Sequence, residues 1–135
     1  MRILIAEDDF AICSLLQQFL ESYATNVDSV ANGAEAVDMF MRAMDDNKPY
    51  DIVFLDVMMP EMDGFTALER IRGIEKTIGI AYDKEVKIVM ATALNSPKDV
   101  LEAYYIGGCN DYIAKPFDLK KLAALLVKYG FSKVL

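Results

Sequence analysis

The chain has 135 residues, 54% of them hydrophobic and 26% charged, which is the size and composition of one globular domain with a proper core. Its 14 basic and 21 acidic side chains leave a net charge of −7, which repels phosphate backbones and argues against nucleic acid as a direct partner. There is no histidine, so no Ser-His-Asp triad, Cys-His pair or histidine zinc site can be built from this chain alone, and any histidine chemistry has to come from a partner.

No apolar run approaches the ~20 residues of a membrane span. The apolar start after Arg2 is too short for a signal peptide and lacks a cleavage region. No membrane contact is expected, and the cytoplasm is the expected location. Cys13 and Cys109 match no metal-ligand spacing and read as reduced, packed thiols.

Taken in chain order, the first apolar run covers 2–6 and closes on the acids Glu7-Asp8-Asp9. Asp9 is expected to cap the helix that follows, in which Ile12, Leu15, Leu16, Phe19, Leu20 and Tyr23 share a face. A second strand is predicted near 26–30. Asn32-Gly33 then opens a helix with Ala36, Val37, Phe40, Met41 and Met44 on one stripe. The third strand, 51–55, reads as buried and closes on Asp56, before a turn-rich stretch from Val57 to Gly64. Phe65, Leu68 and Ile71 mark a third helix. The segment Gly73–Glu85 exceeds a usual connection and reads as an extension of that helix plus a loop.

A fourth strand at 86–91 leads to Thr92. Ser96-Pro97 starts a helix, with a cap followed by proline at its first position, and Gly107-Gly108 ends it. A fifth strand at 110–114 leads to Lys115-Pro116, a candidate cis peptide that would aim Lys115 inward. Asp118 caps a last helix with Leu119, Leu122, Leu126 and Tyr129 facing inward. Five alternations of strand and helix predict an α/β fold, a parallel sheet with helices on both faces. One domain is expected over 1–130, with a short tail at 131–135 and no effector domain.

The chemistry gathers at strand ends. In an open parallel sheet, ligands bind beyond the carboxyl ends of strands where strand order reverses. If the order is 2-1-3-4-5, that reversal brings Glu7 and Asp8 beside Asp56. Carboxylates this close raise one another's pKa unless a cation neutralises them, and hard oxygens favour Mg²⁺ or Mn²⁺. Asp8 and Asp56 are the expected direct ligands, with Glu7 acting through water and the Met58 carbonyl contributing. Asp56 can attack a phosphoryl group and form an acyl phosphate, while Thr92 and Lys115 neutralise its oxygens.

Four pieces now carry a family resemblance: Ile3-Leu4-Ile5-Ala6-Glu7-Asp8-Asp9, the stretch from Asp56 to Gly64, Ala91-Thr92-Ala93, and Tyr112-Ile113-Ala114-Lys115-Pro116-Phe117. In order and spacing the chain resembles a receiver domain of the two-component response regulators, over residues 1–129, of the stand-alone, chemotaxis-regulator-like kind. The resemblance implies a flavodoxin-like doubly wound (βα)5 sandwich with strand order 2-1-3-4-5. It implies that Asp56 takes a phosphoryl group from a phosphohistidine on a sensor histidine kinase or phosphotransfer protein. It assigns Glu7, Asp8 and Asp56 to the acidic pocket, Thr92 to the switch hydroxyl, Lys115 to phosphate binding and Tyr112 to the switch aromatic. The face formed by the fourth helix, fifth strand and fifth helix, with Tyr104 or Tyr105 exposed there, is the expected site for an unknown downstream protein and for a phosphorylation-dependent homodimer.

Taken singly, each residue has a plainer reading. Glu7 can be a solvated charge, Thr92 an ordinary strand residue, Lys115 a surface lysine and Tyr112 simple core. Met58, Met59 and Met62 read as loop packing. Only their joint occurrence at four strand ends favours a phosphoryl site. Two other functions compete: a phosphatase of the haloacid dehalogenase type, and a degenerate receiver acting as a constitutive interaction module. The phosphatase needs an acid two residues after its nucleophile, where this chain has Met58. The degenerate module conflicts with the intact set Glu7, Asp8, Asp56, Thr92 and Lys115. Met58 and Leu94 also replace polar groups that many receivers hold near the water that hydrolyses the acyl phosphate.

Overall fold

The computed structural model describes residues 1–92 and 108–133, Thr92 by its backbone alone. Five strands form one parallel sheet: β1 (Arg2–Ala6), β2 (Asn26–Val30), β3 (Ile52–Asp56), β4 (Lys87–Thr92) and β5 (Asp111–Ala114). Their order is β2-β1-β3-β4-β5, as expected. Ala6 pairs with Leu55 in the β1–β3 ladder, and Thr92 pairs with Ala114 in the β4–β5 ladder.

Alternation along the strands divides the core in two. Leu4, Val53, Leu55, Ile88 and Met90 face one layer, with α2 (Gly33–Asp45) and α3 (Gly64–Ile78) above them. Ile3, Ile5, Ile52, Phe54 and Val89 face the other, under α1 (Phe10–Leu20) and α4 (Leu119–Lys128). Both faces are covered, so β3 is buried along its whole length. Each such aliphatic or aromatic side chain contributes roughly 1.5–3 kcal/mol by leaving water.

The helix starts follow the caps. Asp9 accepts the Ile12 N–H at 3.1 Å, and Asp118 accepts the Lys120 N–H at 2.9 Å. Asn32 accepts the Glu35 N–H at 2.8 Å and donates to Glu35 Oε1 at 2.9 Å, a reciprocal cap. The apolar stripes are narrower than expected. Leu15, Met41 and Leu119 are exposed, while Cys13, Ala43 and Leu125 are buried in their helices. Leu15 stands ~100° round the helix from Leu16, which already faces the sheet. Cys13 and Cys109 are buried free thiols, and burial raises the pKa of both.

The 73–85 segment is helix and turn, as expected: α3 runs on to Ile78, and a 3₁₀ turn follows at Tyr82–Lys84. Glu75 ties it back. Its carboxylate takes the Val86 N–H at 2.7 Å and Arg72 Nη1 at 2.6 Å. Arg72 goes on to the carbonyls of Val86 and Gly108 and to Asn110 Oδ1, all within 2.9 Å. The helix predicted over 96–107, with Ser96, Tyr104 and Tyr105, lies outside the described residues, as do Leu94 and the Thr92 hydroxyl.

Candidate phosphoryl-transfer site

Glu7 and Asp8 follow β1, Asp56 ends β3, and Lys115 follows β5. Parallel pairing therefore brings all four to the carboxyl end of the sheet. One carboxylate oxygen from each of Glu7, Asp8 and Asp56 lies within 4.8 Å of the others. Glu7 and Asp56 are each only 5% exposed, while Asp8 is exposed at the rim. Lys115 Nζ donates to Glu7 Oε2 at 2.5 Å and to Asp56 Oδ2 at 2.9 Å. The Lys115-Pro116 bond is cis.

Three carboxylates against one ammonium leave the cluster two charges negative. Burial pushes the Glu7 carboxyl above its usual pKa and the Asp56 charge adds to this, while the Lys115 hydrogen bond opposes it. For Lys115, burial works against the ammonium. Hydrogen bonds from both carboxylates outweigh it, so its pKa is raised. An all-oxygen set with this excess charge, open to solvent at Asp8, fits a hard divalent cation.

Local backbone shapes the site further. Asp56 Oδ1 accepts the Met58 N–H at 3.2 Å, and the Met58 side chain is 64% exposed, whereas Met59 and Met62 pack against the core. The loop-packing expectation therefore holds for two of the three methionines. Gly64 starts α3 directly against the end of β3. A Cβ there would lie 2.2 Å from the Asp56 carbonyl oxygen, so only glycine lets the helix approach this closely. Asp63 caps α3 through the Thr66 N–H at 2.8 Å. With Asp8, Met58 and Phe65 it lines a groove of about 670 Å³ beside the acids. Sequence reading recorded Asp63-Gly64 only as part of a motif; the signal for its role was an Asp-Gly pair just before a helical period. Tyr112 sits on β5 opposite Met90 and packs against the α2–α3 core layer.

With this geometry, comparison with known proteins is decisive: the response regulator receiver domain family matches residues 3–127. The chain belongs to that family. The chemotaxis protein CheY of Treponema pallidum is 34% identical over 90% of this chain and 76% of its own length. The hybrid signal transduction histidine kinase L of Dictyostelium discoideum is 32% identical over 96% of this chain but only 7% of its own length, and the chain spans 46% of the transcriptional regulatory protein RprY of Bacteroides fragilis. Among solved structures, the co-crystal structure of the Saccharomyces cerevisiae histidine phosphotransfer protein Ypd1 with the receiver domain of Ssk1 gives a TM-score of 0.84. Identity there is 30%, covering 96% of this chain and 88% of that one. The CheX-CheY-BeF3-Mg complex of Borrelia burgdorferi gives 0.78 at 27% identity, covering 96% and 89%. This receiver is a response-regulator switch domain rather than a phosphatase of the dehalogenase type. No helix among its described residues is long and apolar enough to cross a membrane.

Proposed function

We propose that Asp56 is the phosphoacceptor of this receiver and that the phosphoryl group arrives from a phosphohistidine on a sensor kinase or phosphotransfer protein. The observation that carries this is the buried Asp56 carboxylate, held at the sheet's carboxyl end between two further acids and Lys115. These 135 residues contain no histidine, so the phosphohistidine lies outside them. An Asp56 oxygen attacks phosphorus, the phosphorus–nitrogen bond breaks, and the imidazole leaves with its electron pair and takes up a proton.

Asp8 and Asp56 would hold Mg²⁺ or Mn²⁺ directly, with Glu7 through water and the Met58 carbonyl alongside. The ion supplies charge neutralisation for the entering phosphoryl oxygens. Both Glu7 oxygens already accept donors, from Asp9 N–H at 3.1 Å and from Lys115 at 2.5 Å, which suits an outer role. Lys115 would follow the phosphoryl group, and Thr92, the last residue of β4, would offer its hydroxyl.

The switch follows from charge. Each charge-assisted hydrogen bond is worth roughly 1.5–3 kcal/mol, and two or three approach the ~5.5 kcal/mol that reverses a 1:99 equilibrium. Thr92 moving to the phosphate and Tyr112 turning behind it would change the face beside β5 and α4, the proposed docking site for a downstream protein and for a phosphorylation-dependent homodimer. Incubation with acetyl phosphate and Mg²⁺ tests the assignment. One hydroxylamine-labile phosphoryl group is expected in the wild type and none in Asp56→Ala; equal labelling of both sinks it.

A further inference from the structure

One wall of the groove beside the acids is loop. It runs from Val57 to Asp63, and Met58, Met59, Pro60 and Asp63 line the groove from it together with Asp8. The base of the loop is closed by the Gly64 N–H, which donates to the Val57 carbonyl at 2.9 Å. Its tip is strained. Glu61 is exposed and has a φ of 66°, and the Met62 N–H donates back across it to the Pro60 carbonyl at 2.7 Å. A three-residue turn with positive φ at its centre is the rare form, and a residue other than glycine stays in it only where its surroundings hold it there.

The holding contact comes from another element. The Gly33 N–H donates to the Met62 carbonyl at 3.1 Å, so the peptide groups on both sides of Met62 are bonded. Gly33 is the first residue of α2 and is buried. It is not among the glycines with positive φ, so its backbone conformation does not call for glycine. Closeness does. A Cβ there would lie 2.3 Å from the Met62 carbonyl oxygen and 3.1 Å from that of Asp63. Both are backbone atoms, so either the helix or the loop would have to move. α2 is fixed to the core by Ala36, Phe40 and Ala43, all buried, which leaves the loop to give way. The neighbouring Asn32 side chain bonds Glu35, within the start of α2 itself.

We propose that Gly33 is a positioning residue for the phosphoacceptor site, acting through the Met62 carbonyl to hold the 57–63 loop with the Met58 peptide against Asp56. The inference rests on the reading of Asp56 and its cation given above. Met58 is where the two meet: its N–H donates to Asp56 Oδ1 at 3.2 Å, and its carbonyl is the proposed backbone ligand. With its tip pinned to α2, the loop is ordered before an ion arrives, and little ordering remains to oppose binding. A Cβ at position 33 pushes the tip off α2 and takes the Met58 peptide with it.

Calorimetric titration of the unphosphorylated chain with Mg²⁺, run beside urea unfolding, tests this. Gly33→Ala should weaken Mg²⁺ binding about tenfold, the lower end of what outer contacts to a metal site supply. Asn32→Ala is the control at the same helix end. It removes a cap, and should lower the unfolding midpoint with Mg²⁺ affinity unchanged. Equal losses of affinity in the two variants, or no loss in Gly33→Ala, overturn the proposal. A second measurement needs no variant and decides the matter even where Gly33→Ala fails to fold. In amide spectra of the wild type, the Gly33 resonance should shift with that of Met58 as Mg²⁺ is added, while that of Gly79, at the far end of α3, stays in place. A Gly33 resonance that ignores Mg²⁺ while Met58 responds overturns this proposal alone. A wild type that binds no Mg²⁺ removes the cation reading and this proposal with it.

Discussion

The two ends of the sheet each bury a glutamate, and they use it differently. At the amino end Glu75 faces Arg72, one anion against one cation, and the surrounding Val86, Gly108 and Asn110 groups satisfy the remaining donors and acceptors. At the carboxyl end Glu7 shares a single lysine with Asp56, and Asp8 stands within reach. Burial is the largest cause of a raised carboxyl pKa at both glutamates. The difference lies in charge count. A neutral, hydrogen-bonded cluster holds segments together, whereas a cluster two charges short of neutrality suits the proposed cation and phosphoryl group. Perturbed acidity alone does not separate a functional buried acid from a structural one.

The sharpest break of this comparison is Asp8→Ala. Mg²⁺ binding by calorimetry and labelling by acetyl phosphate should both be lost. Unfolding in metal-free buffer should shift to equal or higher denaturant, because a repelling carboxylate is gone. A loss of stability there would mean that the acidic end is structural too. Glu75→Ala is the converse. It strands the Arg72 guanidinium and the Val86 N–H, and should cost about 3–5 kcal/mol in urea unfolding with Mg²⁺ affinity unchanged. A much smaller cost would show that the arginine finds other partners.

A finer distinction concerns how long the carboxyl end holds its product. Met58, and Leu94 by its place in the sequence, offer an attacking water no hydrogen bond. The double variant Met58→Asn, Leu94→Glu should lose phosphate about two- to tenfold faster, the worth of one net hydrogen bond in the transition state. Equal or slower decay would remove these side chains from the account. The smallest effect separates two glycines. Gly73→Ala in open space should stabilise α3 by about 0.5–1 kcal/mol. Gly64→Ala should destabilise instead, because its Cβ would meet the Asp56 carbonyl. Thermal melts of the two variants should move in opposite directions.

Most of the carboxyl end was legible in the sequence, because strand ends are marked by where an apolar run stops. Ile3-Leu4-Ile5-Ala6 stops at Glu7, and Ile52-Val53-Phe54-Leu55 stops at Asp56; parallel topology puts both stops on one edge of the sheet, and the strand order that the family resemblance implies makes them neighbours. The caps Asp9, Asn32 and Asp118 and the Lys115-Pro116 turn are local signals and read directly. The amino-end cluster was not legible. Arg72 reaches Asn110 across 38 positions, and nothing in the periodicity of α3 distinguishes it from a surface arginine. Stripe width was misjudged for a related reason. Period shows which apolar residues share a helix face, but the sheet beneath decides how much of that face is covered, and Leu15, Met41 and Leu119 fall beyond its edge.

The central claim is that the charge-deficient end of the sheet accepts a phosphoryl group on Asp56 with a divalent cation's help. The most direct measurement is transfer from a phosphohistidine-bearing phosphotransfer domain to this chain, followed by peptide mapping in the mass spectrometer, with Mg²⁺ and with excess chelator. One adduct on the peptide containing Asp56, present with Mg²⁺ and absent in chelator and in Asp56→Asn, is the result this account predicts. An adduct on any other residue, or undiminished transfer in chelator, would contradict it.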